Sequence, residues 1–465
     1  MTASAGEARV RSARPTGKST GKSTGRTTGT SAGKSSAAAS VTPLPTRAAS
    51  VPLLARPLAS YYLLVASTAL LVAFGLVMVW SSSYVETSGA DSKVSFAIVQ
   101  KQALWVAIGL PLLLLASRLP VRAFRLAAYP AVLGALVLLM AVLVPGLGVT
   151  LNGARRWLDL GGPFTIQPSE FAKLALLIWG ADLLARKHQH RTFDTYRRML
   201  IPLVPVTLVV LALIEKEHDL GTSMVVITIV LALLWFAGAP GRLFGLLVGF
   251  VVAGVTLLAI SQPYRMQRLL NFGHPFKDLH NTGWQAGQGI YALGSGGWWG
   301  VGLGGSREKW GYLPEAHSDF IFAIIGEELG LMGTLAVLLL FAVLAYAGIR
   351  VAQRSRDTFS RLVAAGVVAW LMVQALVNIG AVIGLLPITG IPLPLISAGG
   401  SSLIFTMFAL GMLMALARNE PRAAAALAAR RPGPIRRAVA RVGGLGHGSL
   451  SHDSGSHGAR PRRGR

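Results

Sequence analysis

The chain contains no cysteine. That excludes a disulfide framework and any thiolate metal site. Charge is scarce as well: 14% of residues are Asp, Glu, Lys or Arg, against about a quarter in soluble domains. Acidic residues are few, 19 against 44 Lys plus Arg, for a formal net charge of +25. The nine histidines do not cluster at ligand spacing. So basic a chain invites a nucleic-acid reading. The cations, however, lie in the two ends of the chain and in alternate loops rather than on one folded face, which is the signature of membrane orientation. No nucleic-acid partner is expected.

Apolar sequence is abundant. Hydrophobic residues make up 52% of the chain, in several runs that approach the ~20 residues a bilayer core demands. The runs predict spans near 60–80, 97–117, 126–144, 169–185, 200–214, 222–238, 244–260, 320–346, 361–385 and 401–417. The expected fold is therefore an all-α integral membrane protein of about ten transmembrane helices, with a large extracytoplasmic loop, 261–318, between the seventh and eighth. The fifth and sixth spans are short, and Glu215 to Asp219 between them mark a turn at the membrane surface.

Residues 1–57 are basic and of low complexity, and read as a disordered cytoplasmic tail. The repeated GKST unit there mimics a phosphate-binding loop. The spacing fails, because the glycine preceding Gly33-Lys34-Ser35 is Gly29, one residue too near, and no strand precedes it. The same stretch shares its composition with organelle transit peptides. Residues 419–465 read as a second basic, disordered tail around a central body at 58–418. Arg118–Arg125, Arg186–Arg198, Arg242 and Arg350–Arg361 form the basic loops and are assigned to the cytoplasm with both termini. The opposite face then carries Pro145–Pro168, Glu215–Gly221, Ser261–Ser318 and Leu386–Gly400. The 261–318 loop holds Trp284, Trp298, Trp299, Trp310, Tyr264, Tyr291 and Tyr312, a density that suits a folded cap in the lipid headgroup layer.

Ionisable residues on that face are the candidates for chemistry. Asp319 ends the long loop, where it can act as a helix N-cap, as a tuned base, or as both. Glu327 and Glu328 follow two turns on, roughly 12 Å deeper if the helix is continuous. They require a cation or water, with Lys101 and Lys173 as candidate partners. Arg155 and Arg156 stand outside, against the positive-inside trend. Their guanidinium forks suit a phosphate or pyrophosphate, or lipid headgroups. The glycine run 294–306, followed by Arg307 and Lys309, offers backbone amides and two cations to an anion, or simply a flexible turn. Gln374 and Asn378, one turn apart, suggest interhelical hydrogen bonds. The stretch 391–400 is too stiff and apolar for an ordinary solvated loop.

From Leu58 to Arg418 the chain resembles the SEDS family, for shape, elongation, division and sporulation, which includes FtsW, RodA and SpoVE. The motifs that carry the resemblance are NGARRW at 152–157, QPSEFAK at 167–173, HDLGT at 218–222, YLPEAHSDFIFAIIGEELG at 312–330 and PLPLISAGGSS at 392–402. The wording EAHSDFIF is nearer the division branch than the elongation branch. The resemblance implies a peptidoglycan glycosyltransferase of the bacterial cytoplasmic membrane. Such an enzyme polymerises lipid II and works with a class B penicillin-binding transpeptidase, other divisome proteins and membrane lipids. It makes Asp319 the catalytic residue and places Trp157, Glu170, Lys173, Asp219, Lys309 and Glu315 at motif positions. Arg155, Arg156, Arg307 and Lys309 lie on the correct side to offset the charge of a departing pyrophosphate. A divalent cation, Mg or Mn, is the alternative source of that charge. A lipid II flippase, with Lys101, Lys173, Glu327 and Glu328 lining a polar path, and a non-catalytic divisome scaffold are the competing expectations.

Overall fold

The computed structural model describes residues 56–83, 92–151, 154–162, 164–189, 196–260 and 283–429. The chain runs α1 (Ala59–Ser83), α2 (Ser92–Arg118), α3 (Val121–Leu143), β1 (Gly148–Leu151), β2 (Ala154–Asp159), β3 (Thr165–Ile166) and α4 (Pro168–Gln189). It continues through α5 (Tyr196–Leu200), α6 (Leu203–Lys216), α7 (Leu220–Phe236), α8 (Gly241–Ile260) and α9 (Trp284–Gly296). It closes with α10 (Ile321–Arg354), α11 (Thr358–Val382), α12 (Ser401–Arg418) and α13 (Pro421–Ala429). Among the described residues, the ten helices of 14 residues or more fall on the ten expected spans in order. Six of them, α1, α2, α3, α10, α11 and α12, have the length and hydropathy to cross a membrane. The turn expected near Glu215–Asp219 separates α6 from α7.

Burial sorts the helices. α4 is buried along its length from Pro168 to Ala185, and α11 and α12 are buried on most sides, as apolar helices at the centre of a bundle must be. α1, α3, α8 and α10 expose large apolar side chains instead, among them Leu70, Leu133, Phe250 and Leu339. An apolar outer surface on apolar spanning helices is a lipid-facing one. α2 packs against α12, α3 against α4, and α1 and α11 against α10. Since α1 and α11 both rise to the end carrying the long loops, that end is called the loop end below.

The structure departs from the expectations in four places. First, the 145–168 loop contains a three-stranded antiparallel sheet ordered β1-β2-β3. Second, the long loop contains helix α9, packed on α10. Third, α10 is broken at Gly330, whose φ of 65° and ψ of −162° are not helical. The break frees backbone groups that the 297–302 segment takes up. Leu331 N–H donates to Gly297 O and Met332 N–H to Trp298 O, while Val301 and Gly302 N–H donate to Glu327 O and Glu328 O. A Cβ at Gly330 would fall 2.5 Å from Gly300 N, so only glycine allows this approach. The amides expected to cradle an anion are therefore partly consumed in splinting a helix. Fourth, residues 419–465 begin with a helix, α13, rather than with disorder. The rest of both tails, the 190–195 part of the basic loop and residues 261–282 lie outside the described residues.

Candidate functional site

The loop end gathers four stretches far apart in sequence. β2 brings up Arg155, Arg156 and Trp157. Arg155 Nη1 donates to Leu143 O, 3.2 Å, at the end of α3, and Trp157 sits opposite Val149 in the hairpin. Arg156 Nε donates to Glu217 O, 3.1 Å, and its Nη2 to His218 O, tying the hairpin to the α6–α7 turn. Asp219 caps α7, accepting from Thr222 N–H at 3.0 Å and Thr222 Oγ1 at 2.8 Å, and it also accepts from Gln167 Nε2 at 2.9 Å. Gly221 lets this turn press on the 389–391 segment, since a Cβ there would lie 2.6 Å from Ile391 Cγ1.

Beneath this layer Lys173 is fully buried. Its Nζ lies 2.7 Å from Glu170 Oε1, 3.3 Å from Gln374 Oε1 and 5.2 Å from the Trp370 ring centre. Gln374 passes the connection upward, its Nε2 donating to Pro392 O at 3.0 Å. One turn on, Asn378 Nδ2 donates to both Ile391 O and Asp319 O, each at 2.8 Å. Gln374 thus bridges two helices, as expected, through Lys173, and the pair also holds loops.

Asp319 is the residue this arrangement serves. Three consecutive carbonyls around it accept hydrogen bonds: His317 O from Ala398 N–H at 3.0 Å, Ser318 O from Ser397 Oγ at 2.7 Å, and Asp319 O from Asn378. Asp319 lines a small, partly open cleft with Phe320, Asn378, Ile388, Thr389, Gly390 and Ile391. The Oδ2 atom lies 3.5 Å from where a Cβ would stand on Gly390, whose φ of +70° favours glycine in any case. Asp319 is not the helix cap expected of it. Phe320 holds that position and no side chain caps the helix. Glu315, at φ 57°, accepts from Ser318 Oγ at 2.7 Å. The positive-φ non-glycine residues described, His218, Glu315 and Leu395, all lie in these converging loops, where strain of this kind concentrates at working sites.

The second cluster corrects the partners expected for the acidic pair. Lys309 Nζ, fully buried, lies 2.9 Å from Glu328 Oε1 and 3.0 Å from Ser81 O. Glu328 Oε2 accepts from Ser81 Oγ, and Glu327 accepts from Ser306 Oγ and, at 2.8 Å, from Arg307 N–H. Lys101 is exposed and Lys173 is engaged with Glu170. The pair follows Asp319 by two turns of the same helical stretch, before the break at Gly330; Glu328 meets Ser81 in the last turn of α1, and Asp319 O meets Asn378 near the end of α11. Lys309 was expected to face an anion, but its charge is spent on a buried carboxylate. The Arg307 side chain is exposed.

Glu217 carries a signal of another kind. It is fully buried, neither oxygen makes a well-formed hydrogen bond, and the Ser169 hydroxyl beside it is equally unpartnered. Burial, reinforced by Asp219, pushes its carboxyl up to about 8 from 4.5. The folded state thus binds a proton that the unfolded chain has released, and stability from this group falls as pH rises from 4.5 through about 8. Glu217→Gln should flatten that slope. Thermal unfolding between pH 5 and 9 should show the variant gaining on the wild type toward the alkaline end, and parallel curves would refute the assignment. Among the described residues no group of three or more His, Cys, Asp or Glu is arranged to hold a metal ion.

Fold and site together define a multi-pass membrane protein that presents one clamped carboxylate over a cleft at the loop end of the bundle. The family model described as "Cell cycle protein", covering FtsW, RodA and SpoVE, matches residues 61–422, and the chain belongs to this family. Over 83% of its length it is 46% identical to the "Probable peptidoglycan glycosyltransferase FtsW" of Mycobacterium tuberculosis, covering 72% of that protein. It is 39% identical to stage V sporulation protein E of Bacillus subtilis, over 77% of this chain and 96% of that one. Among solved structures it is similar to the rod shape determining protein RodA of Thermus thermophilus, with 30% identity and a TM-score of 0.57, covering 77% of this chain and 96% of that one. A chain from a peptidoglycan synthase complex, described as coordinating polymerization and crosslinking, matches with 30% identity and a TM-score of 0.63, covering 77% of this chain and 97% of that one.

Proposed function

We propose that this chain is a peptidoglycan glycosyltransferase that polymerises lipid II into β-1,4 glycan strands during septal wall synthesis, releasing undecaprenyl pyrophosphate. The observation that carries this reading is the Asp319 carboxylate, held over an open cleft by main-chain clamps from α11 and the 391–398 segment. The acceptor's GlcNAc 4-hydroxyl must lose a proton as it attacks the donor's anomeric carbon, and Asp319 takes it as general base. Attack from the face opposite the leaving group converts the α-linked donor to a β-linked product. The leaving pyrophosphate is already an anion and needs charge rather than a proton. Arg155 and Arg156, on the same end of the bundle, and the exposed Arg307 are the groups assigned to it.

Trp157, in the hairpin, and Glu315, four residues before Asp319, are assigned to substrate contact on the same end of the bundle. Asp219, Glu170 and Lys173 act from behind, as props for the loops that form the cleft. The flippase reading loses its polar path, because Lys173 closes on Glu170, and Glu328 on Lys309. Kinship with FtsW supports a division role at the septum, both termini in the cytoplasm, and a class B transpeptidase as partner.

The test is reconstitution of the purified full chain with lipid II, with and without its transpeptidase. Glycan polymer is the expected product in at least the paired sample. Transbilayer movement of lipid II without polymer in both samples would overturn the assignment in favour of transport. Neither activity would leave a scaffold.

A further inference from the structure

The segment from Gly297 to Tyr312 exposes an unusual set of side chains. Trp298 is 66% exposed, Trp299 80%, Leu303 59% and Trp310 57%. Residues this apolar and this open need an occupant. Two attachments fix where the segment sits. Its first residues are hydrogen-bonded to Leu331 and Met332, just past the break in α10, a helix long and apolar enough to cross a membrane. Leu331, Met332, Leu335 and Leu339 are themselves exposed along that helix. Its middle is tied to the end of α1, where Gly304 N–H donates to Ser81 Oγ and Lys309 Nζ to Ser81 O, beside the exposed Trp80. The segment that carries the indoles is thus attached to two apolar helices with exposed apolar side chains, α1 at its end and α10 at its break. The end of a spanning helix is the depth at which tryptophan and tyrosine collect in membranes.

We propose that residues 298–312 are a membrane-interface anchor, seated in the headgroup layer of the leaflet at the loop end, with a lipid surface as occupant. The anchor is coupled to the site. The same segment donates to Glu327 O and Glu328 O, and through Ser306 and Arg307 N–H it holds the Glu327 carboxylate. Residues 321–329 lead back from those contacts to Asp319. The depth of the indoles therefore sets the height of the carboxylate above the membrane, where a lipid-linked sugar presents its reacting carbon. This last consequence rests on the proposed function; the anchor itself does not.

The experiment uses the absence of native cysteine. Val301→Cys and, separately, Leu339→Cys carry an environment-sensitive nitrobenzoxadiazole probe on the full chain in lipid nanodiscs. Nitroxide lipids labelled near the headgroup or deep in the acyl chain serve as quenchers, with aqueous iodide as the third. The Val301 probe should be quenched best by the shallow nitroxide and the Leu339 probe by the deep one. In a Trp298→Ser/Trp299→Ser background the Val301 probe should shift to the red and become open to iodide. Quenching of the Val301 probe by iodide alone in the parent, or no change on removing the two indoles, overturns the anchor. The readout needs no turnover, so it fails or succeeds independently of the glycosyltransferase assignment.

Discussion

Asp319→Asn should lower lipid II polymerisation by about 10²- to 10⁴-fold, the usual worth of a general base, while the protein folds and binds its partner as before. The substitution is close to isosteric. The clamps on this stretch act on the main-chain carbonyls of His317, Ser318 and Asp319, which the change of side chain does not touch. No helix cap is lost either, because Phe320 occupies that position. What disappears is the capacity to accept a proton from the attacking hydroxyl. Asp319→Glu should also be poor. The extra methylene moves the base by roughly an ångström in a cleft whose wall at Gly390 is close to Oδ2, 3.5 Å from where a Cβ would stand. The measurement is polymerisation by purified variants alongside their melting temperatures and transpeptidase pull-down. A rate near wild type for Asp319→Asn would make Asp319 a structural residue and move the search for the base to Glu315, exposed on the same loop.

Lys309→Met should destabilise the protein by about 3–5 kcal/mol, the cost of leaving a buried charge without its partner. Glu328 is fully buried and faces Lys309 Nζ at 2.9 Å. Removing the cation strands the carboxylate against Ser81 alone. Lys309→Met/Glu328→Leu should recover much of the loss, since a buried ion pair is often matched by apolar packing of similar volume. Thermal unfolding of the single and double variants in one detergent measures the coupling. A Lys309→Met protein that melts like wild type but no longer polymerises would return Lys309 to the substrate surface, where its position in the motif first suggested it.

These two expectations differ in how they were reached. Asp319 stands out as a candidate from its neighbours in the chain, as a carboxylate where a polar loop meets an apolar run, within a motif spelled over consecutive residues. Lys309 was misread from the same kind of information. Its position beside Arg307 after a glycine run suggests a surface cation, and nothing local reveals that Glu328, nineteen residues on, folds back over it. The break at Gly330 that makes this possible sits inside what reads as one continuous apolar helix. Gln374 and Asn378 were recognised as interhelical hydrogen-bonding residues, and Lys173 on α4 does reach Gln374, but Pro392 O, Ile391 O and Asp319 O, which their amides hold, are carbonyls of loops that carry no label in the sequence. Glu217 gave no sign at all, because its burial depends on Ser169 and Arg156 arriving from another segment.

The sequence by itself determined the placement of the long apolar helices, the scarcity of charge within them, and the membership of the family. Each of these depends on hydrophobic length or on motifs of consecutive residues, and neither needs a third dimension to be read. The tertiary structure alone decided which ions are paired, which amides are spent on a broken helix, and that Asp319, Asn378 and the 388–391 segment meet around one cleft, with Gly221 pressed against that segment. Those are outcomes of long-range packing, in which a buried polar group takes whatever partner the fold brings within reach, because leaving it without one costs more than any local preference can supply.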